Sequence, residues 1–126
     1  MPQPIISVSG VRGVFGESLL GTDVLGILYA FSQVTSSAGM IAVGRDTRRS
    51  GLPISMLAES ALTAMGHDVL DLGILPTPAL ALGVRKLGAR SGVMVTASHN
   101  PPEWNGLKFV NRDGTVFGED QMNQVA

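Results

Sequence analysis

The feature that most constrains this chain is that its hydrophobic periodicity keeps changing. Apolar positions recur every second residue in some segments and every third or fourth in others, with glycine or polar turn residues where the period switches. A period of two lines one face of a strand, and a period near 3.6 lines one face of a helix. Their alternation along one chain describes βαβ units, in which each crossover helix returns the chain to begin a parallel strand. The expected architecture is a three-layer α/β/α sandwich with a mixed, largely parallel sheet covered on both faces.

The clearest helix runs from Ser50 to about Met65, where Ile54, Leu57, Ala58, Ala61, Leu62 and Met65 form one apolar stripe. Ser55, Glu59 and Thr63 fall opposite, toward solvent. Ser50 or Gly51 can open this helix, and Gly66 can supply the left-handed residue that ends it. An earlier helix spans about Asp23 to Thr35, with Thr22 placed to cap it. A third begins at Thr77 with Pro78 in the first helical position, carries Arg85 and Lys86 in its last turn and closes at Gly88. Strands are expected at Ile5–Val8, near Arg12–Phe15, and at Met40–Gly44, His67–Gly73, Ser91–Thr96 and Gly106–Asn111. The last turns back through Asn111-Arg112-Asp113-Gly114 into Thr115–Phe117 as a hairpin. Glu119–Ala126 starts like a helix and stops after about two turns, as though cut.

At 126 residues, 44% of them hydrophobic and 15% charged, the sequence has the composition of one folded domain, residues 1–126, rather than of a disordered chain. It reads as one part of a longer protein. The formal net charge is −1 and the basic residues form no stripe, so nucleic acid is not an expected partner. There is no cysteine, which removes thiol chemistry and a disulfide framework. Neither a signal peptide nor an apolar stretch of membrane-spanning length is evident, so a cytoplasmic protein with no membrane partner is expected.

In open α/β sheets, ligands gather beyond the carboxyl ends of the strands. Val93-Met94-Val95 leads there into Thr96-Ala97-Ser98-His99-Asn100-Pro101-Pro102-Glu103-Trp104-Asn105-Gly106, a loop with hydroxyl, imidazole, amide and rigidifying proline groups. Ser98 could be a nucleophile, could cap a turn, or could simply be solvated. The segment lacks Gly-x-Ser-x-Gly, and His99, adjacent in sequence, does not easily reach the hydroxyl as a triad base; both weaken a serine-hydrolase reading. Arg12 lies between Val11 and Gly13, where glycine lets the backbone come close to the serine loop. Lys108 alternates with Leu107 and Phe109, so its ammonium faces the other side of a strand. Asn100 precedes two prolines and is expected to shape the loop rather than react. Arg45, Asp46, Thr47, Arg48 and Arg49 precede the clearest helix, a place suited either to an anion or to an Asp–Arg network tying this loop and the first strand together. The order of a Walker A loop is missing there. His67, after Gly66, reads as a turn residue, and Trp104 as packing under the loop.

Thr96-Ala97-Ser98-His99-Asn100-Pro101 with Trp104-Asn105-Gly106-Leu107-Lys108-Phe109 resembles the active-site serine loop and downstream Asn-Gly-x-Lys of the α-D-phosphohexomutases. Ser9-Gly10-Val11-Arg12-Gly13, Gly44-Arg45-Asp46-Thr47-Arg48-Arg49-Ser50-Gly51 and Leu75-Pro76-Thr77-Pro78 are similar to further segments of that family, in the same order. The matches cover nearly the whole chain and the first of the family's four domains. Many members carry an acidic residue shortly before the Arg-Gly. The form Ser7-Val8-Ser9-Gly10-Val11-Arg12-Gly13, together with Trp104-Asn105, looks most like the phosphoglucosamine-mutase branch, with the phosphoglucomutase/phosphomannomutase branch as the alternative.

The resemblance implies that Ser98 is a phosphoserine. It gives its phosphoryl group to a hexose phosphate and regains one from the other end of the sugar, so that phosphate moves between C6 and C1. Arg12, Asn100 and Lys108 would bind phosphate or substrate, and Ser98, His99, Lys108 and Arg12 would form the catalytic set, with Lys108 or His99 in proton transfer. Mg²⁺ would be held by a phosphoryl oxygen on Ser98 and by aspartates of an Asp-Gly-Asp-x-Asp-Arg loop, which this chain lacks. The implied partners are the hexose phosphate and the remaining domains of the parent enzyme, and the isolated domain is expected to be inactive. A stand-alone phosphosugar-binding module is the competing expectation.

Overall fold

The computed structural model describes residues 2–35 and 39–126. Its elements are β1 (Ile5–Ser7), β2 (Gly10–Val14), α1 (Gly21–Thr35), β3 (Met40–Arg45), α2 (Gly51–Ala64), β4 (Asp68–Ile74), α3 (Thr77–Leu87), β5 (Ser91–Val95), β6 (Trp104–Val110) and α4 (Glu119–Val125). The strands make one mixed sheet in the order β1-β2-β6-β5-β3-β4. Helices α1, α2 and α4 pack on one face, and α3 covers the other. This is the expected three-layer α/β/α arrangement.

Parallel pairing is narrower than the helical connections suggest, being confined to β4-β3-β5. β6 returns antiparallel to β5, and β2 and β1 continue antiparallel beyond it. The reason is the link from β5 to β6: Thr96–Glu103 contains no helix, and without a crossover the chain can only double back.

Faces follow the period of two. Val93, Val95, Leu107 and Phe109 point into the larger core with Val24, Leu28, Phe31, Ile54 and Leu62. Phe31 stacks on Phe109 at 4.5 Å between ring centroids, and Phe117 leans on both at 5.6 and 5.5 Å. Ala42, Met94 and Val110 point the other way, against Leu80 and Val84 of α3. Gly44 and Gly92 lie beneath that helix because a Cβ at either would strike Leu75 or Val84.

Several local signals act through other atoms than expected. Thr22 lies inside α1, and it is Asp23 Oδ2 that accepts the N–H of Leu20 at 2.7 Å, as an acidic third residue does in a capping box. Ser50 makes no side-chain cap on α2, because its hydroxyl instead receives the Asn105 amide at 2.8 Å. Pro78 stands at the second helical position, after Thr77. Gly66 and Gly88 do take positive φ, at 93° and 69°. Ser55, read as solvent-facing, is buried, since the apolar stripe of α2 runs through Gly51, Ile54, Ser55, Ala58, Ala61 and Leu62. His67 is no turn residue: it is 5% exposed and its Nε2 shares a 2.8 Å hydrogen bond with Ser32 Oγ of α1. The hairpin after β6 forms, but Val110 and Val116 make a single bridge rather than a strand pair.

Candidate active site

The Ser98 loop leaves the carboxyl end of β5, beside the Asp46–Ser50 loop that leaves the parallel neighbour β3. Together they wall a cleft of ≈ 980 Å³, to which Val14, Phe15 and Glu17 add the far side. Ser98 and Asn100 line this cleft with Arg48, Arg49 and Glu103. The location is the one the topology of an open α/β sheet favours.

Ser98 is exposed and adopts φ 55°, the sole non-glycine residue at positive φ among the described residues. A side chain in that region costs about 1–2 kcal/mol, so the surrounding bonds must hold it there. Its N–H donates to Thr96 Oγ1 at 3.0 Å, and its carbonyl accepts Arg48 Nη2 at 2.9 Å. Thr96 in turn donates its hydroxyl to Asp46 Oδ2 at 2.6 Å. Arg48 Nη2 also reaches Asn100 O at 3.0 Å, Nη1 reaches Pro101 O at 2.6 Å and Trp104 O at 3.1 Å, and Nε pairs with Asp46 Oδ2 at 3.0 Å. The guanidinium thus gathers the loop's carbonyls on one side. Two further bonds close the loop on itself, Asn100 N to Ala97 O and Trp104 N to Pro101 O.

The Asp–Arg network expected of the basic run is therefore present, though what it ties down is the serine loop. Arg45 points elsewhere, its Nη1 4.0 Å from Asp71 Oδ1. Near that pair, burial raises the pKa of Glu59 above its ordinary value, helped by Asp71 and opposed by Arg45.

Arg12 joins the site through Asn100. Its Nη1 donates to Asn100 Oδ1 at 3.0 Å, while its Nε is buried with no hydrogen-bond partner. Arg12 crosses Gly106 in the β2–β6 register, and a Cβ at Gly106 would press on the Val11 carbonyl and on the Arg12 side chain. The glycine is what lets the arginine lie flat across β6. Lys108 sits two residues along that strand on the same face as Arg12, opposite Leu107 and Phe109 as the alternation requires. It does not line the Ser98 cleft. His99 is exposed beside Ser98 and makes no hydrogen bond among the described residues. Trp104 is half-buried at the start of β6, contributing its carbonyl to Arg48.

Of the residues singled out in the sequence, the structure puts Ser98 and Asn100 in the cleft lining, joins Arg12 to them through Asn100 but outside that lining, leaves His99 at the loop surface, and keeps Lys108 outside the lining as well. Arg48 was singled out within the basic run, but its bonds to the serine loop were not foreseen. Among the described residues no three His, Cys, Asp or Glu side chains stand together as a metal site, and no helix is long and apolar enough to cross a membrane.

A family model described as phosphoglucomutase/phosphomannomutase, alpha/beta/alpha domain I, matches residues 4–126. A phosphoglucosamine mutase of Prochlorococcus marinus (strain MIT 9303) is 42% identical over 123 residues, which are 98% of this chain and 26% of that protein. The chain thus spans about a quarter of the length of the curated relatives it matches. A candidate phosphomannomutase from Thermus thermophilus superposes with a TM-score of 0.90 at 31% identity, over 99% of this chain and 30% of that one. A phosphoglucomutase/phosphomannomutase family protein from Burkholderia thailandensis gives 0.80 at 32% identity, over 96% and 30%.

Proposed function

Because this chain belongs to the phosphoglucomutase/phosphomannomutase family, as its α/β/α domain I, we propose that it is the phosphoserine-bearing part of a cytoplasmic phosphoglucosamine mutase. The observation that carries this reading is Ser98 itself: an exposed hydroxyl at the mouth of a cleft, on a loop held in a conformation serine rarely adopts. A merely solvated serine has no need of that geometry.

In this reading the resting enzyme carries a phosphoryl group on Ser98 Oγ. A hydroxyl of the hexosamine phosphate attacks that phosphorus, the bond to Oγ breaks, a bond to the sugar oxygen forms, and the hydroxyl proton passes to a base. The sugar now carries two phosphates. After it turns over, Ser98 Oγ attacks the other phosphorus, the bond to that sugar oxygen breaks, and the oxygen is protonated as it leaves. The two steps balance, and phosphate has moved between C6 and C1. A phosphoserine carries close to two negative charges, so a second phosphate approaches only if cations compensate them. Arg12 is assigned to this: Nη1 fixes Asn100 in the loop, Nε is buried, and Nη2 is the nitrogen that would serve phosphoryl oxygens. His99, next to Ser98, is assigned to proton transfer; Lys108, on the Arg12 face of β6 and outside the cleft lining, keeps that role only as the family resemblance implies it.

Mg²⁺ fits this chain only in part. A magnesium site asks for near-octahedral oxygen ligands; Ser98 would offer a phosphoryl oxygen only once phosphorylated, and no acidic cluster stands among the described residues. Bound there, the ion would offset phosphoryl charge; its other ligands, and the groups that read the sugar, belong to the further domains that this reading requires.

The relatives' names favour glucosamine phosphate, whereas the solved structures are of the phosphomannomutase kind. The test is a mutase assay of the full-length enzyme against glucosamine, glucose and mannose phosphates. Ser98→Ala is expected to abolish turnover and remove the phosphate from the protein by mass. Intact activity in Ser98→Ala would sink the assignment.

A further inference from the structure

Arg48 uses all five of its guanidinium donors, four on backbone carbonyls between Ser98 and Trp104 and one on Asp46. It therefore has no N–H left for a phosphate, although it lines the cleft and sits in a basic run before a helix. Both backbone polar groups of Ser98 lead back to the same pair. The carbonyl meets Arg48 directly, and the N–H meets Thr96 Oγ1, whose proton goes to Asp46. Asp46 is itself fixed, since its Oδ1 accepts the Arg48 backbone N–H at 3.0 Å. With its carbonyls drawn to one side and both ends anchored, the Ser98 peptide is held in the left-handed conformation.

We propose that the Asp46–Arg48 pair is a clamp that sets the backbone of Ser98 and aims its hydroxyl into the cleft, Arg48 being a positioning residue for phosphoryl transfer and not a phosphate ligand. The clamp needs a planar fork with donors at fixed angles. Lysine supplies the charge but neither the plane nor the number of donors. That the clamp serves phosphoryl transfer rests on the function proposed above; that it shapes the loop does not.

Two measurements separate the halves. In this chain, amide exchange followed by NMR reports the loop through Asn100 and Trp104, whose N–H groups bond within it, and reports the core through β3 and β5. Arg48→Lys is expected to raise exchange at Asn100 and Trp104 by at least about tenfold, the factor one charge-assisted hydrogen bond supplies, with β3 and β5 unchanged. In Arg48→Ala, added guanidinium ion is expected to restore protection. Loop protection equal to the unsubstituted chain in both variants overturns the clamp. If Arg48→Ala loses core protection as well, Arg48→Lys decides, and loss of the core there too overturns a role confined to the loop.

In the full-length mutase, Arg48→Lys is expected to lower kcat by roughly 10²-fold at unchanged KM, the scale on which a misplacement of about 1 Å acts. Undiminished kcat, with Ser98→Ala inactive, overturns the positioning role. An active Ser98→Ala overturns the mutase reading and leaves the exchange result standing.

Discussion

Glu59 carries a charge that its surroundings in the fold disfavour. Burial disfavours its ionised form, and Asp71 adds both a hydrogen bond and like charge, so its pKa lies above the ordinary 4.5 despite Arg45. A raised carboxyl pKa means that the folded state binds the proton more tightly than the unfolded one. The associated stability is complete below the unfolded value and is lost as pH rises through the folded one. Glu59→Gln is therefore expected to gain stability relative to the unsubstituted chain as pH goes from about 4 to 7, the interval above the ordinary glutamate value. Thermal melts across that range are the measurement, and a Tm difference independent of pH would rule the effect out. At this scale the sequence conveys chemistry better than conformation. Ser98 could be picked out by its loop and its companions, but its positive φ could not, since that conformation is ordinarily marked by glycine or asparagine. Arg48 could be named as a member of an Asp–Arg network, but its hold on the serine loop could not: its partners there, some fifty positions away, are carbonyls, and a carbonyl leaves no trace in residue identity.

The elements were legible wherever a side-chain period could speak, and α1, α2 and α3 start and stop within about two residues of where apolar spacing and glycine place them. Strand direction was harder. It depends on whether a crossover exists, and eight polar and proline-containing residues after β5 supply none. Register also explains a glycine that composition leaves mute. Gly106 lies opposite Arg12, where a Cβ would stand 3.0 Å from Arg12 Cγ and 3.1 Å from its Cα while colliding with the Val11 carbonyl. Gly106→Ala is expected to destabilise the chain by about 1–3 kcal/mol through that overpacking, read as a lower urea midpoint. An unchanged midpoint would mean that β2 and β6 move apart at no cost.

At the scale of the molecule, the site is a junction of two loops at one end of a sheet, and the chain covers about a quarter of its curated relatives. The isolated 126-residue chain, free of contaminating mutase, is expected to show no turnover of hexose phosphates; measurable turnover in a coupled assay would refute that. The clamp on the serine loop has one more consequence, for how the parts assemble. β5 and β6 meet across a short connection, so the loop can be closed locally as soon as those strands pair. The bonds from Arg48 span 50 to 56 residues, about the separation already closed by the pairing of β3 with β5, so the same closure serves both. The working shape of the reactive loop is thus expected to depend on β3 docking beside β5 as much as on the strands that flank the loop.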